Sequence, residues 1–172
     1  GPGSKVGNPV FSSPDFAGIH FTGSTDTFHS MWNTIARNLP SYRSYPRIVG
    51  ETGGKDFIFA HSSADPAALV TAMIRGAFEY QGQKCSAASR MYVPSNLWPT
   101  VKQHLTAALA EMKMGDVRDF SNFVGAVIDG KAFRTHSSYL ELGRSSATTV
   151  AGGSASDEVG WYVQPTVFQV DD

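Results

Sequence analysis

The chain has 172 residues, of which 41% are hydrophobic and 12% aromatic, enough for one folded domain or a compact part of a larger one. The formal net charge is −1, so neither sign reaches the excess that predicts binding to nucleic acid or to a membrane surface. The single cysteine excludes an intramolecular disulfide and is typical of a reducing compartment or a catalytic thiol.

The first half of the chain reads as strands that alternate with helices. A short strand over 18–22 leads into a turn and N-cap cluster at 23–26. A helix follows and ends at Pro40. Its apolar stripe has helical spacing: Phe28, Met31, Trp32, Ile35 and Leu39. Two more strands are predicted over 46–51 and 57–60.

The next predicted helix begins at Asp65, with Pro66 at its first position, and ends at Gly82. Its buried stripe is predicted to be Leu69, Ala72, Met73, Gly76, Ala77 and Tyr80.

The second half continues the alternation. A strand near 90–93 precedes a helix that Ser95 caps, with Pro99 in its first turn. A further helix over 130–143 and strands over 148–150, 161–163 and 166–168 complete the pattern. Such alternation predicts an α/β fold with three layers, a largely parallel sheet flanked by helices.

Cys85 is the first candidate for chemistry. It lies in a loop between Lys84 and Ser86, just past a predicted helix end. A thiolate is a strong nucleophile, and loops on rigid scaffolds often carry functional residues. On local context alone, a small buried apolar cysteine is the more common outcome.

Glu51 is the second candidate, because it ends an apolar strand and precedes the pair Gly53 and Gly54. Active sites collect at such strand ends, and a half-buried carboxylate there can act as a base. On local context alone, a solvated strand-end carboxylate is the favoured interpretation. Paired glycines allow a sharp backbone turn at this point.

Residues 21–25 form the third candidate: a strand, a glycine and a helix N-terminus, where backbone N–H groups and the helix dipole favour phosphate. The run is not a GxGxxG motif, and an ordinary capped helix is the alternative. The five histidines show no metal-ligand spacing, so no metal site is predicted.

Taken together and in this order, these runs resemble the aldehyde dehydrogenase superfamily over nearly all of 14–170. Residues 21–24 resemble the family's cofactor-side turn, and 51–55 its glutamate signature, although Thr52 stands where many members carry leucine. Residues 82–85 resemble its cysteine signature, and the interval from Glu51 to Cys85 matches the family pattern. Residues 77–87 and 127–129 resemble the branch that oxidises the glutamate semialdehyde formed from pyrroline-5-carboxylate.

The resemblance implies roles for particular residues. Cys85 is expected to be the nucleophile that forms a thioester and Glu51 the base that hydrolyses it. NAD is the implied cofactor, and the residues expected to face it are Gly23, Ser24, Thr25, Thr52 and Gly53. Lys84 and Ser86 flank the nucleophile and are expected to help hold the substrate's carboxylate.

The resemblance also implies an internal fragment of a longer enzyme of proline breakdown. Residues 1–4 read as an expression-tag scar, 5–52 as the end of an NAD-binding domain, and 53–172 as a partial catalytic domain. The parent is expected to be a homo-oligomer in the mitochondrial matrix, or in the cytoplasm if bacterial. Its partner is a small aldehyde, with no nucleic acid and no membrane.

Several alternatives stay open. The parent could act on another aldehyde, or the chain could be a non-catalytic structural or binding piece. A hydrolase that pairs Cys85 with a histidine is disfavoured, because nothing marks a partner histidine. The fragment alone is expected to be inactive and to expose apolar surface that favours self-association.

Overall fold

The computed structural model describes residues 3–170. The helices in this range are α1 (Gly3–Phe11), α2 (Thr25–Asn38), α3 (Pro66–Phe78), α4 (Trp98–Glu111) and α5 (Gly130–Ser146). The strands are β1 (Gly18–Thr22), β2 (Arg47–Glu51), β3 (Asp56–Phe59), β4 (Ala88–Tyr92), β5 (Thr148–Ala151), β6 (Ala155–Ser156), β7 (Tyr162–Val163) and β8 (Val167–Gln169). Short 3₁₀ turns follow α2 at Leu39–Ser41 and α3 at Glu79–Gly82.

The chain divides into two compact units, one up to Gly54 and one from Lys55 onward. Of the four residues read as a tag scar, Gly1 and Pro2 lie outside the described residues, whereas Gly3 and Ser4 begin α1.

The first unit is a strand–helix–strand arrangement. β1 and β2 pair in parallel, from Gly18 opposite Arg47 to Thr22 opposite Glu51, and α2 forms the crossover. Its small core consists of Phe11, Phe16 and Ile35. Because the pairing is parallel and in register, both strands end at the same edge.

The second unit contains another parallel pair, β3 with β4, connected through α3. α3 packs with α4 over an apolar core in which Met73 and Val101 are fully buried. Asp65 caps α3 by accepting a hydrogen bond from the amide of Ala68 at 2.7 Å, as its position before Pro66 predicts.

The C-terminal part of this unit is antiparallel. β5 pairs with β8, and the two-residue strands β6 and β7 pair with each other. The predicted α/β class is confirmed, but the strands of residues 3–170 form four separate two-stranded sheets rather than one continuous sheet.

Three local expectations were wrong, the first being the burial of Ala72, which is exposed on α3. α4 begins at Trp98 with Leu97 at the N-cap position and no side-chain cap, so Ser95 does not cap it. α3 ends at Phe78 rather than Gly82, and Tyr80 lies in a left-handed turn with its side chain exposed. Helical periodicity cannot detect where tertiary contacts stop a helix.

Aromatic side chains are exposed on one face of the β3–β4 pair. Phe57 and Phe59 are 61% and 76% exposed, and both contact the ring of Tyr92. The intervening Ile58 packs against the core instead. The second unit therefore presents one apolar face of this sheet to solvent, while the opposite face packs against the core.

Candidate active site

The carboxyl edge of the β1–β2 pair brings together two of the predicted site segments. Thr22 and Glu51 are register partners, and the amide of Gly23 extends the pairing by donating to the carbonyl oxygen of Glu51 at 3.1 Å. The Glu51 residue is exposed. Ligands of parallel α/β sheets bind outside this kind of edge, so Glu51 and the Gly23 turn share one potential binding edge.

Ser24 is the N-cap of α2. Its hydroxyl accepts from the amide of Thr27 at 3.3 Å and lies 2.7 Å from the hydroxyl of Thr27. Thr25 is the first helical residue and is exposed, and Asp26 places an acidic group in the first turn. The positive end of the helix dipole therefore faces the same edge, although Asp26 offsets part of it.

Thr52 and Gly53 follow Glu51 without regular secondary structure. Thr52 is half-buried and Gly53 exposed. A Cβ added at Gly53 would meet no heavy atom within 4 Å, and its φ lies outside the left-handed region. The sharp turn that a glycine pair permits is therefore not used at this position.

Cys85 lies in the second unit, exposed on a tight turn. The amide of Ala87 donates to the carbonyl oxygen of Lys84 at 3.1 Å, which closes a four-residue turn with Cys85 and Ser86 at its centre. Ser86 is also exposed. The thiol is thus presented to solvent rather than packed as a small apolar core residue.

Residues 80–82, which lie shortly before this turn, all have left-handed backbone. Their φ angles are 55° for Tyr80, 56° for Gln81 and 65° for Gly82. Only glycine adopts this region freely, and each non-glycine residue costs about 1–2 kcal/mol there. At Gly82 an added Cβ would also lie 2.6 Å from the carbonyl oxygen of Ala77. The backbone leading to the cysteine is therefore strained and needs contacts that hold it.

One such contact is an ion pair that spans this turn. The ammonium of Lys84 lies 2.5 Å from Glu79, which also binds Arg75 at 2.7 Å. The hydrogen bond from Lys84, followed by the charges of Arg75 and Lys84, holds the pKa of the Glu79 carboxyl below its usual 4.5. Lys84, predicted to meet the substrate, therefore already has a carboxylate partner within the chain.

Two glutamines beside the cysteine make contacts that the sequence did not predict. The side-chain oxygen of Gln83 accepts from the amide of Ile128 at 2.9 Å. With the Gln81 amide oriented to suit its neighbours, its oxygen accepts from the amide of Gly125 at 2.6 Å and its nitrogen donates to the carbonyl of Tyr80 at 3.1 Å. Long amide side chains on both sides of Gly82 were the only sequence signal for these contacts.

The described residues contain neither a metal-binding group nor a membrane-spanning helix. Within residues 3–170, no three His, Cys, Asp or Glu side chains are grouped so that they could hold a metal ion. Across the same residues, each helix is too short or too polar to cross a bilayer.

Comparison with known proteins gives a consistent result. The model of the aldehyde dehydrogenase family matches residues 1–172. The chain is 49% identical to the mitochondrial delta-1-pyrroline-5-carboxylate dehydrogenase of Dictyostelium discoideum, over 100% of this chain and 32% of that protein. The human protein of the same name is 46% identical, over 99% of this chain and 31% of its own length.

The fold is similar as well. A crystal structure of delta-pyrroline-5-carboxylate dehydrogenase from Mycobacterium tuberculosis bound with NAD matches with a TM-score of 0.97 and 47% identity, covering 100% of this chain and 32% of that one. The chain thus spans about a third of the length of the relatives it matches.

Proposed function

Because the chain belongs to the aldehyde dehydrogenase family, we propose that it is a segment of an NAD-dependent enzyme that oxidises glutamate 5-semialdehyde, formed from pyrroline-5-carboxylate, to glutamate in proline catabolism. The observation that carries the proposal is the exposed thiol of Cys85 on a turn that follows a strained, left-handed backbone segment. The names and the identity of the relatives support the substrate.

In this mechanism the thiolate of Cys85 attacks the aldehyde carbon, and a C–S bond forms while the carbonyl oxygen becomes an oxyanion. Bound NAD would supply the hydride acceptor, and Cys85 then holds the acyl group as a thioester. Glu51 takes a proton from a water that attacks this thioester, which releases the acid and returns the thiolate. Covalent catalysis divides one difficult oxidation into two easier steps.

The cofactor proposal rests on the β1–β2 edge. The N-terminus of α2 follows a parallel strand there, an arrangement that fits the phosphate groups of a dinucleotide. We place Gly23, Ser24 and Thr25 toward the cofactor, with Thr52 and Gly53 beside them. The acidic Asp26 at this edge lowers the expected affinity for phosphate.

For the substrate, we propose that Lys84 and Ser86 contribute a cation and a hydroxyl near the nucleophile. The existing ion pair with Glu79 means that a substrate carboxylate must share or displace that partner. Lys84→Ala should therefore reduce the preference for glutamate semialdehyde over an uncharged aldehyde such as propanal. If Lys84→Ala left this preference unchanged, Lys84 would have no role in binding the substrate.

We further propose that the isolated chain does not catalyse aldehyde oxidation, since it spans about a third of its relatives. It then serves as a structural part of the parent enzyme. The parent is proposed to be a homo-oligomer. We also propose that it lies in the mitochondrial matrix, which the word "mitochondrial" in the names of its relatives supports, or in the cytoplasm if it is bacterial.

A chimera tests the catalytic roles. This chain would replace the matching segment of the Mycobacterium tuberculosis relative, to which it is 47% identical. With NAD and glutamate semialdehyde, Cys85→Ser should abolish NADH formation. Glu51→Gln should keep a burst of one NADH per site but slow the steady state at least a hundredfold, because the thioester persists.

The outcome also decides between the alternatives. A chimera that oxidises other aldehydes but not glutamate semialdehyde would indicate a different substrate branch. Full activity in the Cys85→Ser chimera would refute the nucleophile, and loss of the burst in Glu51→Gln would refute a role restricted to hydrolysis.

A further inference from the structure

The residues immediately before the Cys85 turn (84–87) are linked to a distant segment by two amide side chains. Gln83 binds the amide of Ile128, 45 residues further along the chain, and Gln81 binds the amide of Gly125. The two glutamines lie on either side of Gly82: Gln81 is part of the left-handed run 80–82, and Gln83 follows it. One link therefore starts within the left-handed run, and the other starts between that run and the Cys85 turn.

The segment that receives these links is itself anchored. Val124 and Val127 are buried at 2% and 4% exposure. The carbonyl of Val124 accepts from the amide of Gly115 at 3.0 Å, and the amide of Val127 donates to the carbonyl of Trp161 at 2.8 Å. Residues 124–128, called the support segment below, are thus held to the rest of the unit at two points.

Gly125 in the support segment lies close to the side chains of Val117 and Gln81. An added Cβ at Gly125 would lie 3.0 Å from Val117 and 3.3 Å from the amide of Gln81. A side chain at 125 would therefore press against Gln81 where it contacts the main chain. A glycine at this position permits the short contact.

We propose that Gln81 and Gln83 are positioning residues that hold the Cys85 turn in one conformation by binding residues 125 and 128. A left-handed run that includes two non-glycine residues persists only when surrounding contacts hold it. These two acceptors, with the Glu79–Lys84 ion pair, supply such contacts. The catalytic meaning of this positioning rests on the proposed function, but the positioning itself does not.

The test uses the 172-residue chain and its single cysteine. Cys85 is alkylated with a trifluoromethyl reagent and observed by ¹⁹F NMR, and the exchange of the Ile128 amide is followed by ¹⁵N NMR. Wild type should give one narrow ¹⁹F line. Gln83→Met keeps the side-chain length but lacks the acceptor, so it should give several or broadened lines and at least tenfold faster exchange at Ile128.

Gln83→Glu retains an acceptor oxygen at the same reach and should restore one line and slow exchange. Gln103→Met is the matched control, because Gln103 is exposed on α4 and should change neither readout. If Gln83→Met does not fold, Gln83→Asn, shorter by one methylene, is judged by the same criteria.

The proposal is overturned if the Gln83 variant keeps one narrow line, if it lowers only the unfolding temperature, or if Gln83→Glu fails to restore the line. Neither NAD nor an aldehyde is present in these measurements. Failure here therefore leaves the proposed reaction untouched, and an inactive chimera leaves the positioning role untouched.

Discussion

The amide of Gly23 donates a hydrogen bond of 3.1 Å to the carbonyl oxygen of Glu51. This bond extends the parallel register of β1 and β2 by one step beyond their last strand residues. The turn proposed to face the cofactor and the proposed base are therefore fixed together by main-chain geometry. A shift of register would separate them, because the bond depends on Thr22 lying opposite Glu51.

Gly82 should tolerate substitution much less well than Gly53. Gly82→Ala adds about 1–2 kcal/mol for a left-handed non-glycine residue, together with the overlap against the carbonyl of Ala77. We expect a loss above about 2 kcal/mol in the free energy of unfolding, measured by denaturant titration. Gly53→Ala, with open space around the new Cβ, should stay within about 0.5 kcal/mol. Equal losses at both glycines would contradict the strain at Gly82.

Glu79 should stabilise the chain in a pH-dependent way. Its pKa is lowered in the folded chain by Lys84 and Arg75, so below pH 4.5 the unfolded chain binds the proton first. The stabilisation is complete above that value and is lost as the pH falls through the lowered folded pKa. Wild type should therefore exceed Glu79→Gln in stability at pH 7, and the gap should close on acidification.

The size of that gap should be small, because the ion pairs are solvent-exposed and screened by salt. Thermal unfolding from pH 7 to pH 3 at low ionic strength measures it. Glu141→Gln, an exposed substitution on α5, is the control. A gap between wild type and Glu79→Gln that stayed constant over this range would exclude the linkage.

Asp65 and Ser95 should differ in their effect on stability, although both were predicted to cap helices. Asp65→Ala removes the acceptor for the amide of Ala68 and should cost about 1 kcal/mol. Ser95→Ala removes no cap and should be within about 0.5 kcal/mol of wild type. The two unfolding midpoints, compared in one buffer, check this. A larger cost at Ser95 would mean that it has a role outside helix capping.

The exposed aromatic face of β3 and β4 should cause self-association. Phe59→Thr keeps a strand-forming residue but removes the most exposed ring of that face. Sedimentation velocity over a range of concentrations should show a lower weight-average mass for this variant than for wild type. Tyr45→Thr, at an exposed aromatic residue of the first unit, should have no effect. A wild-type chain that is monomeric at every concentration would contradict the prediction.

Local sequence was sufficient wherever the determining interactions are local. Ser24 and Asp65 cap the helices that follow them, since each hydroxyl or carboxylate needs only an amide three residues away. The alternation of strands and helices predicted the parallel pairs, whose connections require a crossover. The residue types at positions 51 and 85 marked a carboxylate and a thiol as candidates for chemistry, although local context alone favoured a buried cysteine.

Only the tertiary structure decided how the cysteine is presented. The left-handed backbone at Tyr80 and Gln81 is unfavourable for those residue types, so no local preference predicts it. It is held by contacts such as that between Gln83 and Ile128, 45 residues apart in the chain. By itself, therefore, the sequence determined the fold class and the caps at Ser24 and Asp65, and it predicted the reactive groups. The left-handed backbone that leads to the Cys85 turn exists because distant contacts offset its local conformational cost.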